Sequence, residues 1–212
     1  MKKGKFIVFE GGEGSGKDTI VKMLKKHFPS DTVYTREPGG TPISEKIRTL
    51  LMDNRSKGMT PETEIALFCA ARIQHMRELI IPALEKGKTV VSNRFDLSTI
   101  AYQVYGRQRP ELRRLFSQMN QEAVGEYGPD IYIILDVKPE VGLARRMKGK
   151  EKLTRFDKEK LSFHERVRKG YLTLSKQISS AVIDTTDQYP RLVYEEVLSV
   201  LKHRKLISQK PV

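Results

Sequence analysis

The sequence is short of the residues that tie a chain together covalently or through a metal. Among its 212 residues there is one cysteine, Cys69, and there are four scattered histidines with no pair at ligand spacing. The first excludes an intramolecular disulfide framework and the second argues against a zinc site. Such sparing use of cysteine suits a reducing compartment, so the expected location is the cytoplasm. No uncharged apolar run approaches the roughly 18 residues that a bilayer requires. The basic start Met1-Lys2-Lys3-Gly4-Lys5 is similar to the head of an export signal, but the apolar stretch behind it stops at Glu10 after four residues. Internal repeats, low-complexity segments and linkers rich in Gly, Pro or Ser are also missing, so one domain spanning 1–212 is expected.

Acid is scarce relative to base. With 39 Lys and Arg against 26 Asp and Glu, the chain carries a formal charge of +13 and a pI near 9.8. A polyanionic partner is implied, and nucleic acid, an anionic membrane surface and phosphorylated small molecules all satisfy that statement. A basic segment from Arg145 to Arg155 holds Arg145, Arg146, Lys148, Lys150, Lys152 and Arg155 against only Glu151, and reads as a mobile loop. The last ten residues, with His203, Arg204, Lys205 and Lys210, read as a fraying basic tail.

What is present is a regular alternation. Short β-branched or aromatic runs at 6–9, 32–35, 89–92, 131–135 and 181–183 are near-continuously apolar, as strands covered on both faces must be. Between them lie helical patterns at about 17–28, 43–52, 61–86, 97–126, 139–147, 158–179 and 190–204. Thr60-Pro61-Glu62 is a strong helix start, with a hydroxyl cap, proline at the first position and acid in the first turn. Repeated strand–helix units predict an α/β fold with a five-stranded parallel sheet and helices on both faces.

The first strand runs into Gly11-Gly12-Glu13-Gly14-Ser15-Gly16-Lys17, which has the spacing of a phosphate-binding loop. Three fixed positions recur by chance in about one chain in fifteen, so context decides. The loop leaves an apolar strand and opens a helix, where free N–H groups and the positive end of the dipole converge on an anion. Glycines let those N–H groups approach phosphate, and Lys17 would then reach the β- and γ-phosphates. The residue after the lysine is ordinarily Ser or Thr, whose hydroxyl holds Mg²⁺; here it is Asp18, followed by Thr19.

From Phe6 to about Val200 the chain resembles thymidylate kinases. The resemblance is carried by the stretch from Phe9 to Lys17, by Arg36-Glu37-Pro38-Gly39-Gly40-Thr41-Pro42 and by Leu67-Phe68-Cys69-Ala70-Ala71-Arg72. Ser92-Asn93-Arg94-Phe95, with Ser98 and Ala101-Tyr102-Gln103, and Arg155-Phe156-Asp157 complete it. It implies a P-loop fold with a small lid at about 145–157, and transfer of the γ-phosphoryl group of ATP to thymidine monophosphate with Mg²⁺. By the same resemblance Arg36 and Arg94 hold the acceptor phosphate, where arginine's fork suits the task better than lysine. Phe68 and Arg72, four apart on one helical face, would stack on the base and read its carbonyl edge. Tyr102 would lie against the deoxyribose, Ser98 and Gln103 would reach the base edge, and Glu13 would contact the acceptor sugar. The catalytic cations besides Lys17 and Arg94 would come from the lid: Arg145, Lys148 and Arg155. Adenine would meet the loop after Ile183-Asp184. A homodimer is implied, with nucleotides rather than nucleic acid or membrane as partners.

Two departures stand together. The family's metal-facing acid, the Asp of an Asp-Arg pair, is Asn93 here, while the hydroxyl position carries Asp18. If the two side chains share one metal shell, the charge facing Mg²⁺ is preserved. Alternatives are a kinase of another deoxynucleoside monophosphate, or a nucleotide-binding protein with weakened catalysis.

Overall fold

The computed structural model describes residues 3–149 and 152–207. Met1 and Lys2 of the basic start, Lys150 and Glu151 of the basic segment and Lys210 of the tail lie outside them. Strands β1 (Phe6–Glu10), β2 (Val33–Arg36), β3 (Val90–Asn93), β4 (Ile131–Asp136) and β5 (Ser180–Asp184) form one parallel sheet in the order β2-β3-β1-β4-β5. β1 sits in the middle, with Phe6 opposite Val90 and Ile7 opposite Ile131.

Alternation along the central strands builds two cores. Phe6, Val8, Val90, Tyr132 and Ile134 point to one face. Ile7, Phe9, Val91, Ile133 and Leu135 point to the other. The first face is covered by α2 (Pro42–Met52), α3 (Pro61–His75), α4 (Ile81–Glu85), α5 (Asp96–Thr99), α6 (Leu112–Val124) and α8 (Leu161–Ser175). The second is covered by α1 (Lys17–Leu24) and α9 (Pro190–His203). Central strands are therefore apolar up to their carboxyl ends, where Glu10, Ser92, Asn93 and Asp136 stand, because both faces are dry. The expectation of full cover fails at the edges: β2 is only half-buried, and β5 is buried only at Ile183.

Two long helical patterns are interrupted. The 61–86 run passes through a π-helical turn at Met76–Ile80 before α4. Pro82 follows that turn, and it can neither donate to the carbonyl four residues back nor fit beside it. The 97–126 run becomes α5, a π-helical stretch at Ile100–Gly106, a break, and α6. The break holds Gln108 at φ 57° and Pro110, neither compatible with a continuing helix. The basic segment is not a loop from Arg145, because α7 (Pro139–Lys148) continues through Lys148. Nor is the whole tail frayed: Ile207 is buried in the core under α1 and α9.

Candidate active site

A cleft of about 980 Å³ opens at the carboxyl ends of the strands, where open α/β sheets take ligands. Its floor is the loop after β1. Gly14, at φ 64°, lies so close to α7 that a Cβ there would be 2.0 Å from the Gly142 carbonyl oxygen. The loop and the root of the basic segment thus pack backbone to backbone. Gly16 precedes α1 and has no side chain to cap it, which leaves first-turn N–H groups for a ligand. Lys17 curls over the loop, donating to the carbonyls of Gly11 (3.1 Å) and Gly12 (2.9 Å) and to Ser15 Oγ (3.1 Å). Burial, reinforced by Arg94, pulls its pKa down to about 7 against the pull of Glu13, Glu10 and Asp18. Asp18 and Asn93 meet, as sharing one site requires: Asn93 Nδ2 donates to Asp18 Oδ1 at 2.6 Å. Among the described residues Asn93 Oδ1 is buried with no hydrogen-bond partner.

Beyond the loop, guanidinium groups converge. Arg94, at the end of β3 with φ 70°, donates to Gly11 O (3.0 Å) and Glu13 Oε1 (3.0 Å) and lies over the Tyr102 ring. Tyr102 donates to the same Glu13 oxygen at 2.8 Å. Burial pushes the Glu13 carboxyl up, yet Arg94 and Lys17 outweigh it and hold the pKa at about 2. Arg36 stands at the cleft mouth, exposed and paired with Glu45 on both carboxylate oxygens. Arg48 is a cleft residue that sequence reasoning missed. It donates to Pro38 O at 2.9 Å, and burial followed by the nearby Arg36 charge lowers its pKa. A cation made less basic by its neighbours gains from an anion placed among them.

The far wall is aromatic and polar by turns. Phe68 lines it beside Phe156, which meets Tyr102 edge-on. Arg72 is 1% exposed and donates to Glu37 (2.8 Å), Asn120 (3.1 Å) and Thr99 (2.9 Å), leaving two of its five N–H groups unclaimed among the described residues. Glu37, named in its motif without a role, is held in turn by His75 Nδ1 at 3.2 Å. Gln103 donates its amide to Glu64 at 3.1 Å, while its Oε1 is buried on the cleft wall without a partner. Ser98 also lines the cleft, where its hydroxyl donates to Glu10 at the end of β1 at 2.6 Å and meets Tyr171 of α8 at 2.8 Å.

The lid assignments change. Arg155 is buried, donating to Leu51 O at 2.6 Å and ion-paired with Glu64, because its side chain turns inward onto Phe156. Lys148 is exposed and does not line the cleft. Arg145 does line it, with its guanidinium on the carbonyls of Thr185 (2.9 Å) and Thr186 (2.8 Å), in the turn after β5. Arg146, singled out only as part of the basic segment, also faces the cleft and is paired with Asp157 at 3.0 Å.

A loop shaped for the phosphates of one nucleotide, facing a second set of phosphate-seeking guanidiniums, makes this a P-loop phosphotransferase whose acceptor is itself anionic. Its relatives narrow that class. The thymidylate kinase family model matches residues 9–197. Thymidylate kinase of Clostridium novyi is 41% identical over 95% of this chain and 100% of its own, and that of Geobacter sulfurreducens is 43% identical over 87% and 90%. The crystal structure of thymidylate kinase from Ehrlichia chaffeensis superposes with a TM-score of 0.73 at 32% identity, covering 94% of this chain and 99% of that one. The chain belongs to the thymidylate kinase family.

Proposed function

We propose that the cleft carries out the reaction for which the family is named, transfer of the γ-phosphoryl group of ATP to thymidine monophosphate. An oxygen of the acceptor's 5′-phosphate attacks the γ-phosphorus, the bond to the β–γ bridging oxygen breaks, and ADP and thymidine diphosphate leave. The loop backbone and Lys17 bind the donor phosphates. Arg36, Arg48 and Arg94 bind the acceptor phosphate and neutralise the repulsion between two anions, and phosphoryl transfer is mostly such positioning and charge stabilisation. Arg146 supplies a cation from the lid, while Arg145 braces the turn after β5 that borders the donor side. Tyr102, Glu13 and Phe68 contact the acceptor nucleoside.

The observation that carries the base assignment is the pairing of functions on the wall. Arg72 offers unclaimed N–H donors and Gln103 offers an orphaned acceptor. Thymine presents a carbonyl oxygen beside an N–H, whereas cytosine presents an amino group beside a bare ring nitrogen. Cytosine would set donor against donor and acceptor against acceptor.

Asp18 and Asn93 provide hard oxygens of the kind Mg²⁺ prefers, one of them buried and unpartnered. Bound there, Mg²⁺ would supply charge neutralisation at the β- and γ-phosphates. A homodimer is proposed from the family resemblance, and sedimentation of the purified chain checks it. No helix among the described residues is long and apolar enough to cross a membrane, and the cytoplasm, where ATP and nucleoside monophosphates occur, is the proposed location.

A coupled assay of ADP release over a panel of monophosphates tests the assignment. Thymidine monophosphate should be the best acceptor, with deoxycytidine monophosphate worse by about 5- to 150-fold, the effect of about 1–3 kcal/mol for buried groups left unpaired. Equal use of the two would remove the base wall from the account.

A further inference from the structure

The loop carries a charge where the phosphate-loop pattern has a hydroxyl. In P-loop proteins the residue after the lysine is a neutral hydroxyl that ligates the metal. Here it is a carboxylate in the first turn of α1, lining the same cleft. Among the described residues Asp18 makes no ion pair, and its one hydrogen bond, from Asn93 Nδ2, occupies Oδ1. Oδ2 is left without a hydrogen bond. The cations nearby are otherwise engaged: Lys17 rests on two carbonyls and a hydroxyl, and Arg94 is paired with Glu13.

We propose that Asp18, pinned by Asn93, makes ATP binding conditional on a divalent cation rather than merely strengthened by it. The inference rests on the reading of this loop as the ATP site. Without metal, a fixed carboxylate faces the triphosphate and repels it. With a divalent ion between them, the same carboxylate attracts the metal–nucleotide complex, so one residue lowers affinity for free ATP and raises affinity for the loaded form. A neutral serine or threonine has no comparable effect on free ATP.

Asn93 completes the device. Its Nδ2 donates at 2.6 Å, which holds the carboxylate in place. Its Oδ1, buried beside that contact and unpartnered, is a second hard acceptor suited to a metal-bound water. An aspartate at 93 would bring two like charges to this separation, and they would repel. Charge at 18 and neutrality at 93 therefore belong together.

The test is calorimetric binding of the non-hydrolysable β,γ-imido analogue of ATP to the full chain, once with excess Mg²⁺ and once with EDTA. The readout is the ratio of the two affinities. Two unit charges about 4 Å apart near a protein surface interact strongly enough to change affinity by about ten-fold or more. Asp18→Ser should accordingly shrink the ratio by about ten-fold, chiefly by tightening binding in EDTA. Asp18→Asn keeps the size of the side chain and should act the same way if serine loosens the loop. Asn93→Asp alone should weaken binding in Mg²⁺, and Asp18→Ser with Asn93→Asp should recover most of it. A ratio unchanged in both Asp18 variants overturns the proposal, as does strict additivity in the double variant. Absence of analogue binding in every protein and both conditions is a separate outcome. It removes the ATP reading of the loop, and this inference with it.

Discussion

At the scale of single residues, Lys17 is where proton chemistry and ligand chemistry meet. Its pKa of about 7 arises from burial and from Arg94, so above neutral pH the free protein holds it largely uncharged. A triphosphate beside it reverses that balance, and binding ATP at about pH 8 should take up close to one proton, falling towards none near pH 6. Calorimetry in buffers of different ionisation enthalpy measures this, and Lys17→Met should abolish it. The sign for stability is fixed by the same shift. Between about 7 and the ordinary value of 10.5 the unfolded chain binds more protons, so this group makes the free protein more stable as pH rises through that window. Glu13 acts in the opposite range. Its pKa of about 2 lies below the ordinary carboxylate value, so its contribution is full above about pH 4.5 and is lost as pH falls towards 2. The loop glycines and lysine, Arg94, Phe68 and Arg72 were legible because motif spacing names them. Arg48 was not, and Glu37 was named within its motif without a role. In Glu45-Lys46-Ile47-Arg48 an arginine reads as one more solvated charge, and only the fold turns it towards Pro38 and the cleft.

At the scale of elements, the basic segment divides into an inward-pointing arginine, Arg155, and two that line the cleft, Arg145 and Arg146. Replacing Arg155 by Ala strips Glu64 of a buried partner. The cost should be about 3 kcal/mol, the low end of the range for a broken buried pair, because Arg107 and Gln103 still serve Glu64. Urea unfolding reads that loss, and turnover of the folded fraction should stay near wild type. Arg146→Ala should do the reverse. Thr154 continues to donate to Asp157 through its N–H and its hydroxyl, so stability changes little while kcat falls more than the acceptor KM rises. If kcat survives in Arg146→Ala, the catalytic cation lies elsewhere. Composition along the segment 145–155 could not separate these roles, since one charge run contains both the last turn of a helix and an inward-pointing arginine. Strand positions, by contrast, were legible to within a residue or two, because dry central strands have no polar side to confuse the pattern. The π-helical turns were not legible: periodicity continues through them, although Pro82 and Pro110 mark where a plain helix cannot.

At the scale of the whole molecule, the charge of +13 and the direction of the cleft act together. Both nucleotides are anions, and a cleft carrying Arg36, Arg48 and Arg94 between low-dielectric walls focuses the field of a basic protein towards its own substrates. Such focusing gives the excess of lysine and arginine a role in substrate capture. It also separates two effects of salt. Encounter depends on long-range attraction, which is screened beyond a Debye length of about 8 Å at physiological ionic strength, whereas contacts inside the cleft are screened much less. Raising the ionic strength should therefore lower kcat/KM for thymidine monophosphate where encounter limits the rate, and leave kcat nearly unchanged. Lys22, Lys86 and Arg204 are exposed and do not line the cleft, so reversing all three to Glu alters the field without touching the site. The triple variant should show a flatter salt dependence of kcat/KM, with a lower value at low salt and the same kcat. A salt slope identical to wild type would mean that only local charges guide the substrate, and the basic composition would then need another explanation.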